Sequence, residues 1–97
     1  MKIKVSEKAR KFLREKGIED VTFHLVSMKV AGCMGMVREV EPKYDAPEDA
    51  RNYRYYRTEN CHVFVSRHVR ILGPLTLSTE GLWKMKRLCL EGVTVPL

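Results

Sequence analysis

Apolar and polar positions change their period along this chain, and the changes predict its elements. Residues 2–5, KIKV, alternate, which predicts a short strand. Ser6 then stands where a helix N-cap belongs, and Glu7 follows in the first turn, where the positive end of the helix dipole favours a carboxylate. Ala9, Phe12 and Leu13 fall on one face at helical spacing among Lys8, Arg10, Lys11, Arg14 and Glu15. Gly17 is placed to end the helix. The result is a helix of about ten residues with a single narrow apolar stripe, which must pack against another element.

From Val21 the period shortens to two. Val21, Phe23 and Leu25 alternate with Thr22, His24 and Val26, a strand signal. The stretch VAGCMGMV, residues 30–37, interrupts it with two glycines three positions apart and a cysteine between them. Alternation resumes over Met36–Glu41, and Pro42 is expected to end that strand. Residues 42–52, PKYDAPEDARN, are rich in proline and charge and read as an exposed loop. YRYYRTEN and CHVFVSR predict two strands joined by a turn at Thr58-Glu59-Asn60, a hairpin. Gly73-Pro74 punctuates, LTLST forms a further short strand, Glu80-Gly81 turns, and LWKMKRLCLEGVTV supplies a final strand or pair. The predicted fold class is therefore mainly β (α+β): a compact β-sandwich or barrel-like domain with one N-terminal helix.

Composition narrows the class. The chain has 97 residues, enough for one domain, taken as 1–97. The hydrophobic share of 44% and charged share of 31% describe a globular chain rather than a disordered one. No apolar run approaches the ~20 residues that span a bilayer, so no membrane partner is expected. MKIKVSEKAR is charged from its start and lacks the apolar centre of a signal peptide, which reads as cytoplasmic. The net charge of +6 favours anionic partners, and nucleic acid stays among them.

Cys33 is the leading candidate for chemistry. Gly32 and Gly35 let the backbone turn tightly and let neighbouring amides face a bound anion or cluster. Lys29 and Arg38 flank the stretch and supply the positive charge that lowers a thiol's pKa. The competing reading is a small buried apolar residue, the commonest fate of unpaired cysteine. Cys61 opens a predicted strand, and Cys89 lies between two leucines, expected to be buried or on the opposite face of its sheet. The three cysteines are evenly spaced with no close pair, which matches no zinc motif. A metal site holding Cys33, with Cys61 and Cys89 as further ligands, requires the fold to bring them together.

His24, His62 and His68 lie on predicted strands and read as ordinary histidines. Arg51, Arg54 and Arg57 alternate with Tyr53, Tyr55 and Tyr56, while Lys84, Lys86 and Arg87 lie near Trp83. Interleaved aromatic and basic residues can stack bases and neutralise phosphates. The same letters also describe an amphipathic strand with its arginines outside and its tyrosines half-buried, and cross-strand packing explains the tyrosines. No phosphate loop, nucleotide fingerprint, catalytic triad signature or paired catalytic carboxylates occur, so no catalytic residue is assigned.

The order of these stretches resembles a known family. SEKARKFLREKG, VTFHLV, AGCMG, PKYDAPEDARNYRYY, HVFVSRHVRIL and GLWKMKRLCLEGV together look like a HesB/IscA-like domain, most similar within that superfamily to the CC/Se motif family. The resemblance implies a compact, mostly β fold with a flanking helix. It also implies iron or an iron–sulfur cluster as the cofactor, held by three cysteines: one in a glycine–cysteine turn and two near the C-terminus. Cys33 matches the first. LEGVTVPL holds no cysteine to match the others, and Cys33 has Met34 on one side and Gly32 on the other where the family carries an adjacent cysteine or selenocysteine, so the vicinal pair is broken.

Two functions are thus expected. One is a HesB/IscA-like protein acting through Cys33 as a soft-metal ligand or redox thiol, with an iron–sulfur or redox protein, or a second copy of the chain, as partner. The other is a basic, non-catalytic binding module on the same fold that contacts nucleic acid or an acidic protein.

Overall fold

The computed structural model describes residues 3–29, 36–81 and 86–94. Their elements run β1 (Ile3–Val5), α1 (Glu7–Lys16), β2 (Asp20–Lys29), β3 (Met36–Lys43), a short 3-10 turn (Ala50–Asn52), β4 (Tyr53–Arg57), β5 (His62–Ser66), β6 (Arg70–Glu80) and β7 (Arg87–Thr94). The fold is mainly β with one helix, as the alternation predicted.

Local chemistry explains the helix. Ser6 Oγ accepts a hydrogen bond from Ala9 N at 3.1 Å, satisfying one of the free amides at the N-terminus. Gly17 takes the left-handed conformation at φ 63°, which closes the last turn and costs glycine little. Arg14 and Lys16 lie in that last turn, facing the negative end of the dipole. Ala9, Phe12 and Leu13 form the buried stripe.

The strands make two sheets. One is three-stranded in the order β1-β6-β7, and the other four-stranded in the order β3-β2-β5-β4. β1 runs parallel to β6, and β2 runs parallel to β5, while the remaining neighbours are antiparallel. The inner face of the three-stranded sheet carries Ile3, Leu75, Leu77 and Leu88. The inner face of the four-stranded sheet carries Val21, Phe23, Val63 and Val65. These residues and the helix stripe form one buried cluster with Cys61 and Val69. Each fully buried leucine or phenylalanine there contributes roughly 1.5–3 kcal/mol from apolar surface removed from water.

Two strand boundaries differ from the sequence expectation. β3 continues through Pro42 to Lys43, with Pro42 opposite Phe23. β3 is the end strand of its sheet, so a residue lacking an N–H is tolerated there. Gly73-Pro74 does not divide two strands either. β6 passes through it, and the register slips between Ile71 and Thr76, so several residues of β6 bulge against a short stretch of β7. Gly92 of β7 sits beneath that bulge at φ 95°, and a Cβ there would lie 2.4 Å from the Pro74 carbonyl oxygen. Only glycine fits both constraints.

The proline-rich loop is anchored at both of its ends. Thr22 Oγ1 donates to the Asp45 carbonyl at 2.7 Å. Asp49 accepts from the Arg51 backbone and from its guanidinium, both at 3.1 Å, which shapes the 3-10 turn. The neighbouring Arg51 guanidinium holds the Asp49 carboxyl below its usual range.

Candidate functional site

The strand ends Lys29 and Met36 pair in the antiparallel ladder, so residues 30–35 link two neighbouring strands. Cys33, Gly32 and Gly35 fall in this link and lie outside the described residues.

The other two cysteines sit in different environments. Cys61 follows the β4–β5 turn and is buried in the core. The Thr58 hydroxyl closes that turn: it donates to the Cys61 carbonyl at 2.8 Å and accepts from Cys61 N at 2.9 Å and Asn60 N at 3.2 Å. It also lies 3.6 Å from Cys61 Sγ. Burial pushes the Cys61 thiol up from its ordinary range, the Thr58 hydroxyl partly offsets this, and the Asp20 charge adds to it. A sealed thiol held neutral in this way is a poor nucleophile.

Cys89 lies on β7 opposite Ser78, with its Sγ 2.9 Å from Ser78 Oγ. Its neighbours Leu88 and Leu90 point into the core, so strand alternation puts Cys89 on the outer face of the three-stranded sheet. A layer of sheet therefore separates it from Cys61, whose side chain belongs to the core. Among the described residues no group of three His, Cys, Asp or Glu side chains converges as a metal site. Cys61 and Cys89 do not fit as two ligands of one cluster.

The histidines are also spread. His24 is on β2 and His62 on β5, but His68 sits in the turn after β5 rather than on a strand, because Arg67 and His68 carry the chain from β5 into β6. His24 and His68 line one cleft of about 640 Å³ with Thr22, Lys43, Asp49 and Tyr53, between the proline-rich loop and the outer face of the four-stranded sheet.

The β4–β5 hairpin forms as expected, but its faces differ from the expectation. Residues opposite each other in the ladder share a face. Tyr56 opposes Val63 and Arg54 opposes Val65, so these two point to the core side at the sheet's edge. Tyr53, Tyr55 and Arg57 point outward, opposite Ser66, Phe64 and His62. The expectation of arginines outside and half-buried tyrosines is therefore corrected: strict alternation splits each residue type between the two faces, with Arg54 turned inward and Tyr55 exposed. The outward rings pack together. Tyr55 and His62 stack at 5.6 Å between centroids and 22° between planes, and Tyr55 and Phe64 lie 5.2 Å apart. The Tyr55 hydroxyl hydrogen-bonds His62 Nδ1. The predicted turn did not give this pairing: a turn of Thr58-Glu59-Asn60 alone would put Arg54 opposite Phe64, whereas the turn takes four residues, through Cys61, and puts Tyr55 there.

The far side of the same sheet is acidic. Glu39 and Glu41 of β3 lie near Arg87 of β7, where the two sheets approach. Arg87 donates to Glu80 Oε1 at 2.5 Å, and this bond, with the charges of Glu80, Glu41 and Glu39, holds its guanidinium more firmly protonated.

A mainly β chain with this helix, a link of two glycines and a cysteine between paired strands, and no convergent metal ligands among the described residues defines a small thiol-bearing β domain. The chain belongs to the CC/Se motif containing family, whose model matches residues 1–93. No curated protein and no solved structure matches it. No helix among the described residues is long and apolar enough to cross a membrane.

Proposed function

We propose that this chain is a HesB/IscA-like thiol protein in which Cys33 is the working sulfur, a ligand for a soft metal such as iron or a reactive thiol. The observation that carries this reading is the pairing of Lys29 with Met36, which brings both ends of the glycine–cysteine stretch together at the end of a β-hairpin. The match to a family described by its CC/Se motif runs through the same residues and supports the thiol part of this reading. The other two thiols have different employment: Cys61 fills the core, and Cys89 bonds to Ser78.

Among the described residues no three His, Cys, Asp or Glu side chains converge by themselves. A metal held at Cys33 draws its remaining ligands from a second copy or from a redox or iron–sulfur partner protein. A reducing, cytoplasmic setting keeps such a thiol available.

The test uses protein purified without oxygen. Per-cysteine alkylation followed by mass spectrometry should label Cys33 faster than Cys61, Cys89 and a free model thiol. Reconstitution with iron and sulfide should load metal in stoichiometric amount, and Cys33→Ser should abolish the loading. Slow labelling of Cys33 together with no bound metal would defeat the proposal.

A further inference from the structure

Sheets in small β domains usually hide their aromatic residues on the inner face, and the four-stranded sheet here keeps several outside. Tyr55 is 52% exposed, although it stacks on His62 and lies against Phe64. The three rings occupy two neighbouring strands, on the side opposite the buried Val63 and Val65. Their positions are set before any ligand arrives, because the Tyr55 hydroxyl is tied to His62 Nδ1.

Two arginines border this patch. Arg57 stands in the same cross-strand row as His62. Arg67 donates through Nε to the Arg51 carbonyl at 2.9 Å, holding its guanidinium beside the start of β4. Arg57 and Arg67 form no ion pair among the described residues, whereas Asp49 is engaged by Arg51. Acidic residues border one end of the patch, where Glu19, Asp20 and Glu59 line a cleft with Arg57 and His62, while Glu39 and Glu41 are on β3, at the opposite edge of the sheet. β4 is the end strand, so the aromatic strip reaches an open edge along which a chain can run.

We propose that the outer face of β4 and β5 binds single-stranded nucleic acid, with bases stacking on Tyr55 and Phe64 and phosphates held by Arg57 and Arg67. Cross-strand packing accounts for the contact between the rings but not for Arg57 and Arg67, which stand beside them without an ion pair among the described residues. An acidic peptide would satisfy the arginines and leave the exposed ring unused. A single strand uses both, because every base has a face to stack and every linkage carries a charge. A duplex offers no free base faces to this surface. The chain's net charge of +6 acts in the same direction. This surface is independent of Cys33.

Fluorescence anisotropy of the full chain tests the proposal, using labelled oligouridylate and oligothymidylate of about twelve nucleotides and a duplex of equal length. Single strands should bind at about 50 mM salt, more tightly than duplex, and should weaken steeply toward about 200 mM. Tyr55→Ala and Phe64→Ala should each weaken binding about tenfold, while Tyr55→Phe retains it. Arg57→Gln should reduce the dependence on salt. Circular dichroism of each variant confirms that it folds, and Tyr55→Phe against Tyr55→Ala separates stacking from the loss of the His62 bond. No binding at low salt, equal binding of duplex, or binding indifferent to Tyr55→Ala would overturn the assignment. So would equal binding of polyglutamate, which would make the patch a surface for acidic proteins.

Discussion

The phenol of Tyr44 accepts a hydrogen bond from the Leu88 backbone N–H at 3.2 Å, across 44 positions of sequence. Tyr44 leaves the end of β3, packs its ring against Phe12 of the helix at 5.9 Å, and reaches the open side of β7. One side chain thus joins the four-stranded sheet, the helix and the outermost strand of the three-stranded sheet. Tyr44→Phe keeps the ring and removes the acceptor. It should lower stability by about 1 kcal/mol in chemical denaturation. The Leu88 amide should also exchange faster with deuterium than in the parent chain.

Gly92 and Pro74 form a second long-range fit. Alanine at position 92 would combine a positive φ with a Cβ 2.4 Å from a backbone oxygen. Gly92→Ala should cost at least about 2 kcal/mol, more than an ordinary glycine-to-alanine change in a strand. Gly73, which has open space around its Cβ position, is the control: Gly73→Ala should be far milder in the same thermal melt.

Cys61 predicts a dependence on pH. Its folded-state pKa is raised, so the folded and unfolded chains both hold the proton at neutral pH. As pH rises past about 8.5, the unfolded chain releases the proton first, and stability falls. The loss attributable to this group is limited to about 1.4 kcal/mol per pH unit. Cys61→Ala should flatten the fall between neutral and alkaline pH in urea titrations, whatever its effect on stability at neutral pH. An unchanged slope would mean that the thiol is not sealed.

Ser6→Ala should destabilise the chain by about 1 kcal/mol, because the Ala9 amide loses its partner at the start of α1. Ser6→Asp should recover most of the loss, since a carboxylate can accept the same bond and also faces the positive end of the helix dipole. Thermal denaturation of the two variants reads both outcomes.

The parts of the fold that were legible in the sequence are those set by neighbours along the chain. Ser6, the Ala9-Phe12-Leu13 stripe and Gly17 define the helix, since capping and helical spacing act within a few residues. The alternation of Val21-Phe23-Leu25 and the turn after Arg57 define strands for the same reason. Pro42 and Gly73-Pro74 misled because a proline's effect in a sheet depends on whether its strand is at an edge or bulged, which is a property of the neighbouring strands. In the candidate sites, the Gly32-Cys33-Gly35 stretch is visible as letters, but the Tyr55-Phe64 pairing is not, because the turn is one residue longer than Thr58-Glu59-Asn60 and shifts every cross-strand partner by one. The difference between Cys61 and Cys89 is only half visible: the leucines beside Cys89 show which way it points, but nothing near Cys61 shows that the core closes over it.

By itself, the sequence determined the class of the molecule: a basic, mainly β chain with one capped helix, a hairpin, and a cysteine flanked by glycines. The tertiary structure alone decided that β2 lies parallel to β5, that Tyr44 reaches Leu88, and that Gly92 sits under the Pro74 bulge. Alternation tells each strand which side to bury, but it carries no record of which strand will lie beside it. That choice is made when distant apolar faces close on one another and leave water behind.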